Sequence, residues 1–171
     1  PKTIYLSKED AESRKYRVLR KIDLSMNSIV DQTVSLIMSS LKKVRLHSLN
    51  LGNNLISKEG VTSITHWLSK NKSLKELCLK QNDLTKEGLE LLQNSITKHR
   101  SLEALNLSNT NLSNSGEIIN KIISSTKLKT LILRDCKFSK NDISLIINSI
   151  TNSNSNSNSD ENVSKNSKSK S

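Results

Sequence analysis

The chain has 171 residues and a formal net charge of +11, with 2% aromatic residues, one Pro and four Gly. One ordinary domain and an appendage fit that length, and the scarcity of rings means that any core is built from Leu and Ile. No apolar run approaches the roughly 18 residues of a membrane span, no stretch has a secretory leader's charged-then-apolar order, and two cysteines make no disulfide framework. The expected compartment is the cytosol, or else the nucleus.

The first 18 residues stand outside the pattern that follows. Ser7 to Asp10 has capping-box spacing with Asp in place of Glu, and a charged stretch runs from Ala11 to Arg17. These features predict a helix that caps the open end of the first unit.

From residue 19 the chain repeats. LRKIDLSMN, LHSLNLGNN, LKELCLKQN, LEALNLSNT and LKTLILRDC all fit L-x-x-L-x-L-x-x-(N/T/C), with Ile22 in one Leu slot. Their first leucines are Leu19, Leu46, Leu74, Leu102 and Leu128, spaced by 27, 28, 28 and 26 residues. Ten residues past each anchor comes Ile29, Ile56, Leu84, Leu112 or Phe138, and four further Thr33, Gly60, Gly88, Gly116 or Asp142. The spacing then turns helical: Val34, Ile37 and Leu41; Val61, Ile64 and Leu68; Leu89, Leu92 and Ile96; Ile118, Ile119, Ile122 and Ile123; Ile143, Ile146 and Ile150. A strand whose alternate leucines face inward, followed by a helix with one apolar stripe, cannot bury that face alone. Stacked copies share one core. The predicted fold class is therefore α/β: a right-handed solenoid of five repeats over residues 19–150 in a shallow arc, with a parallel sheet on the concave side and helices on the convex side. Asn27, Asn54 and Asn82 fall where each strand turns, and a buried amide there can satisfy turn backbone. Thr110 and Cys136 at the same register make fewer hydrogen bonds, which predicts looser turns in the last two repeats.

Residues 151–171, TNSNSNSNSDENVSKNSKSKS, lack apolar periodicity and are expected to be disordered. The fifth repeat then has no polar cap of its own, so either it frays or something covers it.

This pattern resembles the ribonuclease-inhibitor-like leucine-rich repeats, whose units run about 28 residues with an outer helix. The resemblance spans Leu19 to Ile150. It implies a protein that presents a concave face or a rim to another protein. It also leaves open a GTPase activator of the Ran-directed leucine-rich repeat type, although such activators carry an acidic C-terminal tail and the tail here is slightly basic.

Parts for catalysis are missing. His47, His66 and His99 have no His or carboxylate at metal-ligand spacing, and Cys78 and Cys136 fall two strands apart, about 10 Å, beyond disulfide reach. No phosphate-cradling Gly loop or nucleophile elbow occurs. No enzyme activity, metal or cofactor is expected. Asn71, Asn106, Asn111 and Asn162 begin Asn-x-Ser sequons, which chance supplies in so Asn- and Ser-rich a chain.

Two surfaces are candidates for a partner. Alternation places Asp23, Asn50, Cys78, Asn106 and Ile132 on the concave face, then Ser25, Gly52, Lys80, Ser108 and Arg134, with Lys21, Ser48, Glu76, Ala104 and Thr130 on the other flank. This is a polar surface with no aromatic anchor and only Arg134 of the usual hot-spot types. The second is a basic rim where helices return to strands: Lys70 and Lys72, Lys98 and Arg100, four and two residues before an anchor, with Lys42, Lys43 and Arg45 nearly in register. Lys15 and Arg17 extend the series. Cations at helix C-termini are favoured by the macrodipole; the functional alternative is docking of an acidic protein surface. The lack of an aromatic platform counts against nucleic acid.

Overall fold

The computed structural model describes residues 5–7 and 19–163. Within them the chain lays down β1 (Tyr5–Ser7), β2 (Lys21–Asp23), β3 (Ser48–Asn50), β4 (Glu76–Cys78), β5 (Ala104–Asn106) and β6 (Thr130–Ile132). The helices are α1 (Asp31–Ser40), α2 (Lys58–Lys70), α3 (Thr85–Ile96), α4 (Gly116–Ser125) and α5 (Lys140–Val163). The L-x-L centre of each repeat forms the parallel strands β2 to β6, and Ile22, Leu49, Leu77, Leu105 and Leu131 stand side by side across the sheet. Packed helices need 8–10 Å between axes whereas strands need about 4.8 Å. The helix layer is therefore the longer one, and the sheet lies on the inside of the bend.

The core lies between the layers. In the third repeat Leu74, Leu77 and Leu79 from the strand side meet Leu84, Leu89 and Leu92 from the helix side, all buried. One apolar cluster runs through all five repeats, as expected where no unit can close on itself.

The turn after each strand follows one plan. Met26, Asn53, Gln81, Asn109 and Asp135 all have a left-handed backbone, with φ between 52° and 59°, and the next residue is the Asn, Thr or Cys of the motif. Asn54 Oδ1 accepts the amides of Asn27 and Ile29, both at 3.0 Å, while its Nδ2 donates to the Leu51 carbonyl at 2.8 Å and to Leu24 at 3.1 Å. Asn82 repeats this one step along, accepting from Ile56 at 3.0 Å and donating to Leu51 and Leu79, both at 3.0 Å. The ladder thins afterwards. Thr110 Oγ1 is buried without a partner, and the Cys136 thiol reaches Leu107 O at 3.3 Å.

Four features depart from the sequence expectations. Tyr5–Ser7 belongs to the segment expected to cap as a helix, yet it forms a strand antiparallel to β2. It satisfies backbone groups that the first parallel strand would otherwise leave open. The helix expected over the rest of that segment falls on residues 8–18, outside the described residues. In α1 the inward positions belong to Val34 and Met38, and Ile37 is only partly buried.

In α5 the expected inward stripe of Ile143, Ile146 and Ile150 is rotated. Ile143 and Ile150 are exposed, while Asp142 and Ser149 are buried. The rotation follows from Asp142, whose carboxylate is drawn inward by amides of the preceding repeat. Finally, α5 continues to Val163, so the boundary drawn at residue 150 falls within a helix. Once a helix is nucleated, each further residue adds a hydrogen bond at little cost, even where Asn and Ser are poor formers. Residues 164–171 lie outside the described residues.

Candidate protein-binding surfaces

The concave face is built from the outward positions of the strands. Asp23 accepts the Ser25 hydroxyl at 2.6 Å, the Ser25 amide at 2.9 Å and Asn50 Nδ2 at 2.9 Å. Asn50 Oδ1 accepts the Gly52 amide and Asn106 Oδ1 the Ser108 amide, both at 3.0 Å. Each polar residue at the strand end thus closes a small ring over the two residues that follow, which fixes the rotamers that the face presents. At Cys78 the sulfur takes the corresponding bond from the Lys80 backbone.

The Gly52 position is occupied from the side. A Cβ there would stand 2.8 Å from Lys80 Cγ and 3.3 Å from Cys78 Sγ, so the Lys80 stem crosses the glycine. Burial alone would raise the pKa of Asp23. The hydrogen bonds from Ser25 and Asn50 outweigh it, with a contribution from the Lys80 charge, and hold the carboxyl below its ordinary value. Burial pushes the Cys78 thiol up, so this cysteine is no ready nucleophile.

Of the expected concave residues, the structure brings Asp23, Asn50, Cys78, Asn106 and Ile132 onto one shallow groove of about 400 Å³, while Ser25 lies outside its lining. Lys80 and Arg134, both exposed, are not part of the groove lining, and Ser108 is buried, its hydroxyl accepting the Arg134 amide at 3.2 Å.

The rim is built by the loops that lead from each helix back to the next strand. Lys42, Lys43, Arg45, Lys70, Lys72, Lys98 and Arg100 are all exposed. The residues that position them are buried or half-buried, and they were not apparent from the repeat pattern. Asn71 Nδ2 donates to Val44 O at 3.1 Å, and its Oδ1 accepts the Ser73 and Leu74 amides at 3.0 Å. His99, at the same register one repeat on, meets Asn71 O with Nε2 at 2.8 Å. Trp67 Nε1 donates to Leu41 O at 3.1 Å, and the Ser73 hydroxyl to Leu46 O at 2.8 Å.

The two flanking cations therefore point out because the residue between them points in. The signal was present in the sequence as a polar residue three before the anchor, masked by the change from Asn to His. Burial lowers the His99 pKa, opposed by the hydrogen bond to Asn71 and assisted by the Lys72 charge. His99 is thus a neutral donor at neutral pH.

Among the described residues no group of His, Cys, Asp and Glu side chains could hold a metal ion, and no helix is long and apolar enough to cross a membrane.

Strand–helix units stacked through one leucine core, with an asparagine at the inner turn of the first three, define a leucine-rich repeat fold. Residues 70–92 and 98–116 match the family model described as leucine rich repeat. No curated protein matches the sequence. Among solved structures, the chain is similar to "Leiomodin-1 Actin-Binding Site 2 (ABS2)", with a TM-score of 0.63 and 14% identity over 84% of this chain and 88% of that one. The chain thus has a leucine-rich repeat fold, with the repeat motif matched over part of its length, and such domains are in general protein-binding modules.

Proposed function

We propose that this chain is a protein-interaction module that meets an acidic partner through its basic rim, with the concave sheet face as the adjoining contact. The observation that carries this reading is the rim itself: seven exposed cations at three successive helix-to-strand returns, whose backbones are tied together by Asn71 and His99. Compensation of helix dipoles applies to Lys42, Lys70 and Lys98, which stand at the end of a helix or one residue past its C-cap, and fades before Arg45, Lys72 and Arg100. A pre-ordered charged surface speeds encounter and selects the partner's sign, and no ordering cost falls on the loops at binding. The similar solved structure is named for binding actin, which is itself a protein.

A pull-down from lysate tests the reading. It compares the wild type with a rim variant (Lys70→Glu, Lys72→Glu, Lys98→Glu and Arg100→Glu) and a sheet-face variant (Lys80→Glu and Arg134→Glu). The reading expects a protein that the wild type retains and the rim variant loses. Equal recovery with the rim variant and loss with the sheet-face variant would move the site to the concave face. Failure of all three to retain any protein would contradict the module itself.

A further inference from the structure

The rim holds one compartment that differs from the rest of it. The loops at 42–45 and 70–73 enclose a cleft of about 470 Å³ lined by Lys42, Lys43, Arg45, Lys70 and Lys72 together with Val44, Asn71 and Ser73. Five cations line it and no carboxylate does. None of the five forms a salt bridge among the described residues, whereas Lys129 further along is neutralised by Glu103 at 2.8 Å. The cleft walls are fixed on both sides: Asn71 ties its loop to Val44, Ser73 ties it to Leu46, and Trp67 holds the end of α1 through Leu41. Arg20 adds to the wall by donating from Nη1 to Arg45 O at 3.1 Å.

Like charges gathered in one rigid compartment repel each other, and the loops cannot splay to relieve this without breaking those bonds. A ligand that relieves it must bring several negative charges in a small volume. A carboxylate brings one charge, whereas phosphate groups carry up to two charges each and accept from ammonium and guanidinium donors in several directions. We infer that this cleft is a binding site for a compact polyphosphate, a molecule or headgroup with three or more phosphates held close together.

The inference goes beyond protein docking on the rim, since Lys98 and Arg100 do not line the cleft and no partner protein is required for binding. Lys42 and Lys70 also line the neighbouring cleft over Met38 and Trp67. Lys43, Arg45 and Lys72 therefore mark the polyphosphate site itself.

The test is calorimetry on the full chain at roughly physiological ionic strength, where diffuse surface attraction is screened beyond about 8 Å. The probes are inositol hexakisphosphate and tripolyphosphate, with sulfate as a single-centre control. The expected result is one-to-one binding of the polyphosphates and none of sulfate. Combined Lys43→Ala, Arg45→Ala and Lys72→Ala should weaken binding by at least about tenfold, with Lys98→Glu and Arg100→Glu changing it by less than about threefold.

Vesicles of phosphatidylcholine and phosphatidylserine, with and without a multiply phosphorylated phosphoinositide, separate a lipid headgroup from a soluble source. Retention only with the phosphoinositide assigns the headgroup, and calorimetric binding without retention assigns a soluble polyphosphate. Absence of binding to soluble probe and vesicle alike overturns the inference. So does equal weakening by Lys86→Glu and Lys121→Glu, which would mark a response to net charge. The calorimetry contains no partner protein, so its failure and a failed pull-down are separate results.

Discussion

The Asp142 carboxylate fills the space beside Gly116 and accepts that residue's amide at 2.8 Å. A Cβ on Gly116 would stand 2.7 Å from Asp142 Cα and 2.9 Å from its Oδ1. The same arrangement joins the first two repeats, where Asp31 Oδ1 accepts the Gly60 amide at 3.0 Å and would collide with a Gly60 Cβ. A carboxylate of one repeat thus holds the start of a neighbouring repeat's helix, and glycine leaves room for it.

Gly116→Ala should therefore cost about 1–3 kcal/mol, the usual range for overpacking. Gly88 offers the contrast. A Cβ there meets only Lys58 Cα at 3.4 Å and more distant atoms, so Gly88→Ala in α3 should stabilise by about 0.4–1 kcal/mol through the unfolded state. Urea denaturation of both variants checks the pair, and the opposite signs are the diagnostic feature.

Asp142 also makes stability depend on acid. Burial would raise its pKa, but hydrogen bonds from Ser139, Gly116 and Asn114 hold it below the ordinary carboxylate value. A depressed folded pKa contributes stability above the unfolded value of about 3.9 and loses it as pH falls through the folded value. The difference in urea midpoint between wild type and Asp142→Asn should be largest above that unfolded value and shrink on further acidification. A constant difference would assign Asp142 to packing alone.

His99 gives a second window, nearer neutrality. Its folded pKa lies below the unfolded value of about 6.5, since burial favours the neutral ring. The unfolded chain therefore takes up the proton first, and stability that is complete above about 6.5 falls as pH drops towards the folded value. His99→Gln keeps a donor for Asn71 O without titrating. Thermal denaturation of the wild type should shift to lower temperature between neutral and mildly acid pH, and that shift should shrink in His99→Gln.

The asparagine ladder predicts a loss and a gain. Asn82→Ala removes an acceptor for the Ile56 amide and a donor for buried carbonyls. At about 1–3 kcal/mol per buried group left unsatisfied, the loss should exceed that of an ordinary surface change. Thr110→Asn should extend the ladder into the fourth repeat, where the Thr110 hydroxyl is buried and unpaired, and stabilise by about 1 kcal/mol. Denaturant midpoints of the two variants should move in opposite directions.

The strand register, the shared core and the asparagine turns of the first three repeats were legible because hydrophobic spacing and a fixed motif position encode them directly. The edge strand Tyr5–Ser7 was not, since it pairs through backbone groups that every residue has. The left-handed turn residues were legible only in part. Asn53, Asn109 and Asp135 are types that tolerate that conformation, while Met26 and Gln81 are held there by the bonds around them. The rotation of α5 was hidden because its isoleucines fit either register, and the choice is made by Asp142, whose partners lie in the previous repeat. On the candidate surfaces, the exposed cations could be read from spacing. Asn71 and His99, which position them, could not, because their donors and acceptors come from loops 27 and 28 residues away.

Cross-linking mass spectrometry of the chain bound to its captured partner tests the rim most directly. With an amine-to-carboxyl reagent, cross-links should concentrate on Lys42, Lys43, Lys70, Lys72 and Lys98 and join acidic residues of the partner. Cross-links confined to Lys58, Lys86 and Lys121, which stand on the helices of the outer layer, would contradict the rim as the docking surface.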